Sequence, residues 1–152
     1  MIPALVSLLL FASADDLPKL SEAGQKELKK FEGKWKVTAM AMDGQERAAD
    51  DNNVVVEFKD RKLVVKENDQ EAKEFFDVAA LDPSTTPKIL DLKALVDEGP
   101  LAKGTTYEAI YKLDDDTLTL AIYAGPDKKR PEKFESAQGS GVVVVTMKRE
   151  KK

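Results

Sequence analysis

Carboxylates, hydroxyls and amines are the chemical groups that this 152-residue sequence offers, because it contains neither histidine nor cysteine. Thiolate nucleophiles, imidazole bases and Cys/His zinc sites are therefore excluded, as are the Ser-His-Asp and Cys-His arrangements. A pair of acidic side chains, as in a glycosidase, remains chemically available, but no spacing of Asp or Glu indicates one. We predict no catalytic residue, no cofactor and no metal ion, and keep a carboxylate-dependent hydrolase as a remote alternative.

Two short motifs each resemble part of a known kind of functional site. The run Asp114-Asp115-Asp116 is acidic, but a calcium site needs six or more oxygens spread through a longer loop. Ser140 lies between two glycines but precedes a predicted strand, whereas a nucleophile elbow leads from a strand into a helix. We interpret both motifs as turns.

Charge and composition narrow the class of protein. Hydrophobic residues make up 42% of the chain and charged residues 34%, a balance typical of one globular domain of this length. The net charge is −4, and acidic and basic residues are interleaved. A nucleic-acid-binding protein needs a concentrated basic face, so we exclude nucleic acid as a partner.

The first 14 residues have the pattern of an export signal. The run Met1–Ala14 is apolar and ends in Ala12-Ser13-Ala14, the small-residue triplet of a signal peptidase site. It is too short to span a bilayer as a helix, which needs about 20 apolar residues. We predict a signal peptide over residues 1–14 and a mature domain over 15–152. The mature protein is expected to be periplasmic or extracellular, with no membrane span.

The mature sequence predicts one helix followed by strands. Ser21 can cap a helix within 15–31, and Gly33 ends it. Beyond Gly33 the apolar residues alternate with period two between turn signals. About eight strands joined in sequence indicate an antiparallel meander, and closing it into a barrel removes two exposed edges. The predicted strands cover 35–42, 54–59, the segment from Leu63 to the Asn68-Asp69 turn, 73–81, 89–93, 105–113, 117–123 and 142–148.

In the first strand, strict alternation places Trp35 and Val37 on one face and Met40 and Met42 on the other. If Trp35 faces the core, the two methionines face outward. They are then candidates for an exposed apolar patch.

The element Gly33-Lys34-Trp35, placed after a helix and before a meander, resembles the G-x-W element of lipocalins and related calycin barrels. In those families the Trp closes the barrel floor, and a basic side chain from the last strand lies over it. The resemblance implies barrel-closing roles for Gly33, Trp35 and Arg149, with Lys148 as a weaker alternative to Arg149.

A longer set of motifs lies in segments 31–37, 43–44, 81–83, 87–92, 110–113, 116–120, 130–134 and 139–141. This set is similar to an uncharacterised domain family of exported planctomycete proteins. That family is regarded as lipocalin-like and has no established activity, so the resemblance implies fold and export and no catalytic residue. One departure is Asp115, where Gly is expected in the hairpin turn.

The functional expectation is a noncatalytic, exported, lipocalin-like binding module. Its partner would be a small apolar ligand or a protein of the cell envelope, with Tyr107, Tyr111 and Tyr123 as candidate lining residues. The alternative is a structural or interaction domain of the envelope with a packed barrel core. The short strands favour a filled interior.

Overall fold

A closed, eight-stranded, antiparallel barrel with one helix at one end forms the fold in the computed structural model, which describes residues 17–48, 53–125 and 129–150. The predicted fold class is confirmed. The predicted signal peptide lies outside the described residues. The strands are β1 (Gly33–Met42), β2 (Gln45–Ala48), β3 (Val54–Lys59), β4 (Lys62–Glu67), β5 (Lys73–Asp82), β6 (Lys88–Ala94), β7 (Thr106–Tyr107), β8 (Ala109–Asp114), β9 (Thr117–Tyr123) and β10 (Val142–Arg149).

The barrel closes by pairing its first and last strands. Around the barrel the neighbours are β1, β3, β4, β5, β6, β8, β9 and β10, and β10 returns to β1 through seven register pairs. The two short strands lie beside this circuit, with β2 on β1 and β7 on β6. Each of the eight strands of the circuit therefore has a paired neighbour on both edges, as closure requires.

Helix α1 (Glu22–Phe31) covers one end of the barrel, called here the helix end. Ser21 caps it, since its Oγ accepts a 3.0 Å hydrogen bond from the Gly24 amide. The helix begins at Glu22, directly after the Ser21 cap that the sequence predicts, and lies within the predicted range of 15–31. Gly24 packs tightly on β5: a Cβ there would lie 2.5 Å from the Leu81 carbonyl oxygen.

Two features of the sheet differ from the sequence expectation. The predicted strand 105–113 is interrupted at Glu108, which separates β7 from β8. Strand β2 was not predicted; it pairs with Ala39–Met42, while β3 pairs with Gly33–Lys36 on the same edge of β1. Strands β2 and β3 thus act as two halves of one partner strand of β1.

A β-bulge in β1 overturns the predicted orientation of the methionines. Val37 pairs with Met147 and Ala39 pairs with the next residue of β10, so Thr38 is the extra residue. One added residue reverses the faces of every residue after it. Met40 and Met42 consequently lie on the inner face, opposite Val145 and Val143, and no outward methionine patch exists on β1.

Apolar side chains fill the helix end and middle of the barrel. The Phe31 ring packs edge-on against Phe58 and Tyr111, with centroids 5.2 and 5.0 Å away. This region matches the filled interior that the short strands favour. Its largest fully buried side chains are Trp35, Tyr111, Phe31, Phe58, Leu90, Leu92, Leu118, Met147 and Val78.

Candidate functional site

The floor of the barrel is the helix end around Trp35. The Trp35 side chain is fully buried, and its indole Nε1 donates a 2.8 Å hydrogen bond to the Phe31 carbonyl. The Arg149 guanidinium lies 4.2 Å from the centre of the Trp35 ring. The same guanidinium donates to the carbonyl oxygens of Lys30 and Glu32, at 2.6 and 2.9 Å. It therefore joins the last strand, the first strand and the end of α1.

Gly33 permits this contact through its backbone. Its φ of +114° belongs to the region that side chains disfavour, and a Cβ there would lie 3.5 Å from an Arg149 nitrogen. Lys148, the weaker alternative, pairs with Lys36 on the outer face and is exposed. The geometry thus places Arg149, and not Lys148, over the tryptophan.

Glu27 is a buried carboxylate at the same end. Only 3% of the residue is exposed, and the Tyr111 hydroxyl donates to its Oε2 over 2.6 Å. Lys30 Nζ lies 3.1 Å from Oε1, and Lys88 Nζ lies 3.7 Å from Oε2. The carboxylate is thus compensated by one hydroxyl and two amines, as a buried charge requires.

These contacts determine the protonation states of Glu27 and Tyr111. Burial raises the pKa of Glu27, but the hydrogen bonds from Tyr111 and Lys30 and the charges of Lys30 and Lys88 together bring it below the ordinary value. Burial, and then the bond to Glu27, raises the pKa of the Tyr111 phenol. At neutral pH the pair is a carboxylate and a neutral phenol. A general acid needs the reverse tendency, a raised carboxyl pKa.

Sequence reasoning missed Glu27 as a buried group. The signal was available, because Gly24, Glu27, Leu28 and Phe31 occupy positions i, i+3, i+4 and i+7 of one helix face. A charged residue at one of those positions indicates a buried partner. The partner itself was not visible, since Tyr111 lies 84 residues away in the chain.

The three candidate tyrosines do not share one surface. Tyr107 and Tyr111 belong to the core cluster, and the Tyr107 hydroxyl accepts from the Ala102 amide and donates to the Pro100 carbonyl. Tyr123 pairs with Val142 on the outer face, where it borders a surface cleft of about 490 Å³ that Lys129 and Ser140 also line. Tyr111 is 1% exposed. The structure therefore does not bring the three rings together as one ligand-binding lining.

The barrel end opposite α1 carries half-buried apolar side chains on its inner face. In an antiparallel pair, residues in register share a face and have Cα atoms about 5 Å apart. Register pairs across β9, β10, β1 and β2 form two such rows. The first row is Leu120, Val145, Met40 and Arg47, and the second is Ile122, Val143, Met42 and Gln45.

We call Met40, Met42, Ile122, Val143 and Val145 the collar. Val145 and Ile122 pack on the core, whereas Met42 is 48% exposed, the largest exposed apolar side chain among the described residues. Apolar side chains also lie across this end of the barrel from the collar. There, half-buried side chains that pack on the core are Val54, Val65, Phe75 and Leu101.

A strap, residues 129–141, covers the outer face next to the collar. Arg130 donates to both carboxylate oxygens of Asp91, at 2.6 and 3.1 Å, and to the Ala109 carbonyl. Phe134 packs on a second apolar cluster outside the barrel, built on Ile110, Ala121 and Val144. The strap therefore covers outer-face apolar side chains of β8, β9 and β10.

Comparisons with known proteins add no relative: no family model, curated protein or solved structure matches this chain. Within the described residues, no cluster of three or more Asp or Glu side chains is arranged to hold a metal ion. Over the same residues, no helix is long and apolar enough to cross a membrane. The function must therefore be argued from the geometry of this chain.

Proposed function

We propose that this chain is an exported, noncatalytic, lipocalin-like binding module that holds a small apolar ligand at the collar. The observation that carries the proposal is the exposure of Met42 on the inner face of a barrel whose helix end is packed and closed. Methionine adapts its shape to an apolar partner, and covering a half-exposed apolar side chain favours binding. The collar is the part of this open end that contains the exposed methionine.

Several features support a noncatalytic role. Among the described residues, Glu27 is the acidic residue that is buried. Its lowered pKa keeps it ionised at neutral pH, as expected of a carboxylate with a structural role. Its partner Tyr111 has a raised pKa and is committed to the same hydrogen bond. A carboxylate-dependent hydrolase would use an acid whose pKa is raised, so this alternative has the least support.

The proposed export rests on the sequence run Met1–Ala14. Expression of the full-length chain in a bacterium with a periplasm tests it by sequencing the amino terminus of the recovered protein. We expect a periplasmic product that begins at Asp15. A cytoplasmic product that retains Met1 or Ile2 would contradict export.

The binding proposal is tested with N-phenylnaphthylamine, a neutral apolar probe whose fluorescence rises in apolar sites. We expect saturable binding to the wild type and about fivefold weaker binding to Met42→Gln, since roughly 1 kcal/mol of apolar contact is lost. The matched control is Val55→Gln, which makes the same kind of change at a half-buried outer-face position of β3. It should leave binding unchanged.

A structural or interaction domain of the envelope is the second candidate, and the filled core favours it. Absence of saturable probe binding to the wild type would support this candidate against the binding module. An equal loss of binding in Met42→Gln and Val55→Gln would also count against a site at the collar.

A further inference from the structure

Arg47 is a cation on the inner face beside the collar. It is in register with Met40, which is itself in register with Val145. The side chains of Arg47 and Met40 therefore lie on the same face, and their Cα atoms are about 5 Å apart. The residue is exposed. Among the described residues, no hydrogen bond or ion pair engages its side chain.

On the inner face of the other strands at this end, the described residues place two charges, Lys73 on β5 and Glu67 on β4. Lys73, in register with inner-face Val65, holds Glu98 Oε1 at 2.6 Å, and Glu67 adds a second negative charge near it. Glu46, next to Arg47 in β2, is in register with Ala41 and so belongs to the outer face. Arg47 is thus the inner-face cation at this end of the barrel that has no ion-pair partner within the described part of the chain.

We propose that the ligand of the collar is a single-chain carboxylate whose apolar chain lies on Met40 and Met42 and whose head group binds Arg47. This inference rests on the proposed function and specifies its ligand class. A guanidinium matches a carboxylate because its planar N–H groups donate two parallel hydrogen bonds. One apolar row that ends at one cation fits one chain with one anionic head.

The test compares decanoate with decan-1-ol, which has the same chain length and no charge, as competitors of the bound naphthylamine probe. Both are used below the concentrations at which they aggregate. For the wild type we expect decanoate to bind at least about tenfold more tightly than decan-1-ol, because a charge-assisted hydrogen bond is added. Raising the salt concentration should reduce this preference.

Three variants locate the preference. Arg47→Gln should weaken the binding of decanoate far more than that of decan-1-ol and so abolish the preference, and Arg47→Lys should retain part of the preference. The matched control is Lys66→Gln, which removes one positive charge from the outer face of β4. It should keep the full preference.

The outcomes separate this inference from the proposed function. Equal affinity of the wild type for decanoate and decan-1-ol, or an equal loss of preference in Arg47→Gln and Lys66→Gln, would overturn the assignment of Arg47 while the collar remains a binding site. Failure of both competitors and of the probe to bind would overturn the proposed function as well.

Discussion

The Tyr111 hydroxyl and the Glu27 carboxylate join β8 to α1 through a 2.6 Å hydrogen bond next to the apolar core. Phe31, one turn after Glu27, packs edge-on against the same tyrosine ring. The helix is therefore fixed on the barrel by apolar packing and by a buried polar contact. Glu27 lies on the same helix face as Leu28 and Phe31, so the hydrogen bond and the apolar packing favour the same rotation of α1 about its axis.

Removing this hydroxyl should destabilise the protein. In Tyr111→Phe the Glu27 carboxylate stays buried and loses a donor, so we expect the free energy of unfolding to fall by about 1–3 kcal/mol. Urea unfolding followed by the fluorescence of Trp35, the single tryptophan, measures it. Tyr123→Phe is the matched control on the outer face and should change stability by less than about 0.5 kcal/mol. Equal stability of the two variants would argue that the buried bond contributes nothing.

The ionisation of Glu27 predicts a pH dependence. Its folded-state pKa lies below the ordinary value of 4.5, so its contribution to stability is complete above pH 4.5 and is lost as the pH falls through the folded-state value. Glu27→Gln should lower stability at pH 7 and flatten the loss of stability on the acid side of 4.5. Unfolding in urea across pH 3–7 tests this.

The control for this profile is Glu22→Gln, at an exposed position in the first turn of the same helix. It should retain the acid-side slope of the wild type. A Glu27→Gln protein whose slope equals that of the wild type would show that the buried carboxylate does not titrate as the structure requires.

Much of the fold could be predicted from local sequence signals. Period-two alternation and turn pairs such as Asp43-Gly44 report on neighbouring residues only, and they located the eight barrel strands. The resemblance of Gly33-Lys34-Trp35 to the G-x-W element of lipocalins implied the contact of Trp35 with Arg149 at the floor. Both kinds of signal can be recognised in a single sequence, because alternation and turn pairs involve neighbouring residues and the G-x-W element is one short motif.

The candidate binding site could not be predicted in the same way. The bulge at Thr38 adds one residue to β1, and nothing in the alternation of β1 marks its position. Without the bulge, Met40 and Met42 would face outward, and Arg47, which is in register with Met40, would lie on the outer face as well. Strand β2 was also missed, since Gln45–Ala48 is short and polar and is held only by its pairing with β1.

The contact between Arg149 and Trp35 predicts a role in closing the barrel. Arg149→Met removes the ring contact and both hydrogen bonds to the carbonyls of Lys30 and Glu32, so stability should fall by about 1–3 kcal/mol. The emission of Trp35 in the folded state should also change, because the charge 4.2 Å from its ring is lost. Lys148→Met, an equivalent change at an exposed outer position, should alter neither quantity. Matching effects in both variants would contradict the assigned role.

The close approach of α1 to β5 makes Gly24 the most sensitive position of the helix. Alanine normally stabilises a helix by about 1 kcal/mol over glycine. In Gly24→Ala, however, the new Cβ would lie 2.5 Å from the Leu81 carbonyl oxygen, and a main-chain atom cannot move aside as a flexible side chain can. We expect the overlap to outweigh the helix preference and to lower the free energy of unfolding by about 1–3 kcal/mol.

The exposed neighbour of Gly24 separates the two contributions. Ala23→Gly changes helix preference alone and should cost about 1 kcal/mol. If helix preference governed both sites, Gly24→Ala would be more stable than the wild type. Because α1 also carries Glu27 and Phe31, a helix displaced by the new methyl group should lengthen the Tyr111 contact as well. Combining Gly24→Ala with Tyr111→Phe should then destabilise the protein by less than the sum of the single changes, which a double-mutant cycle measures.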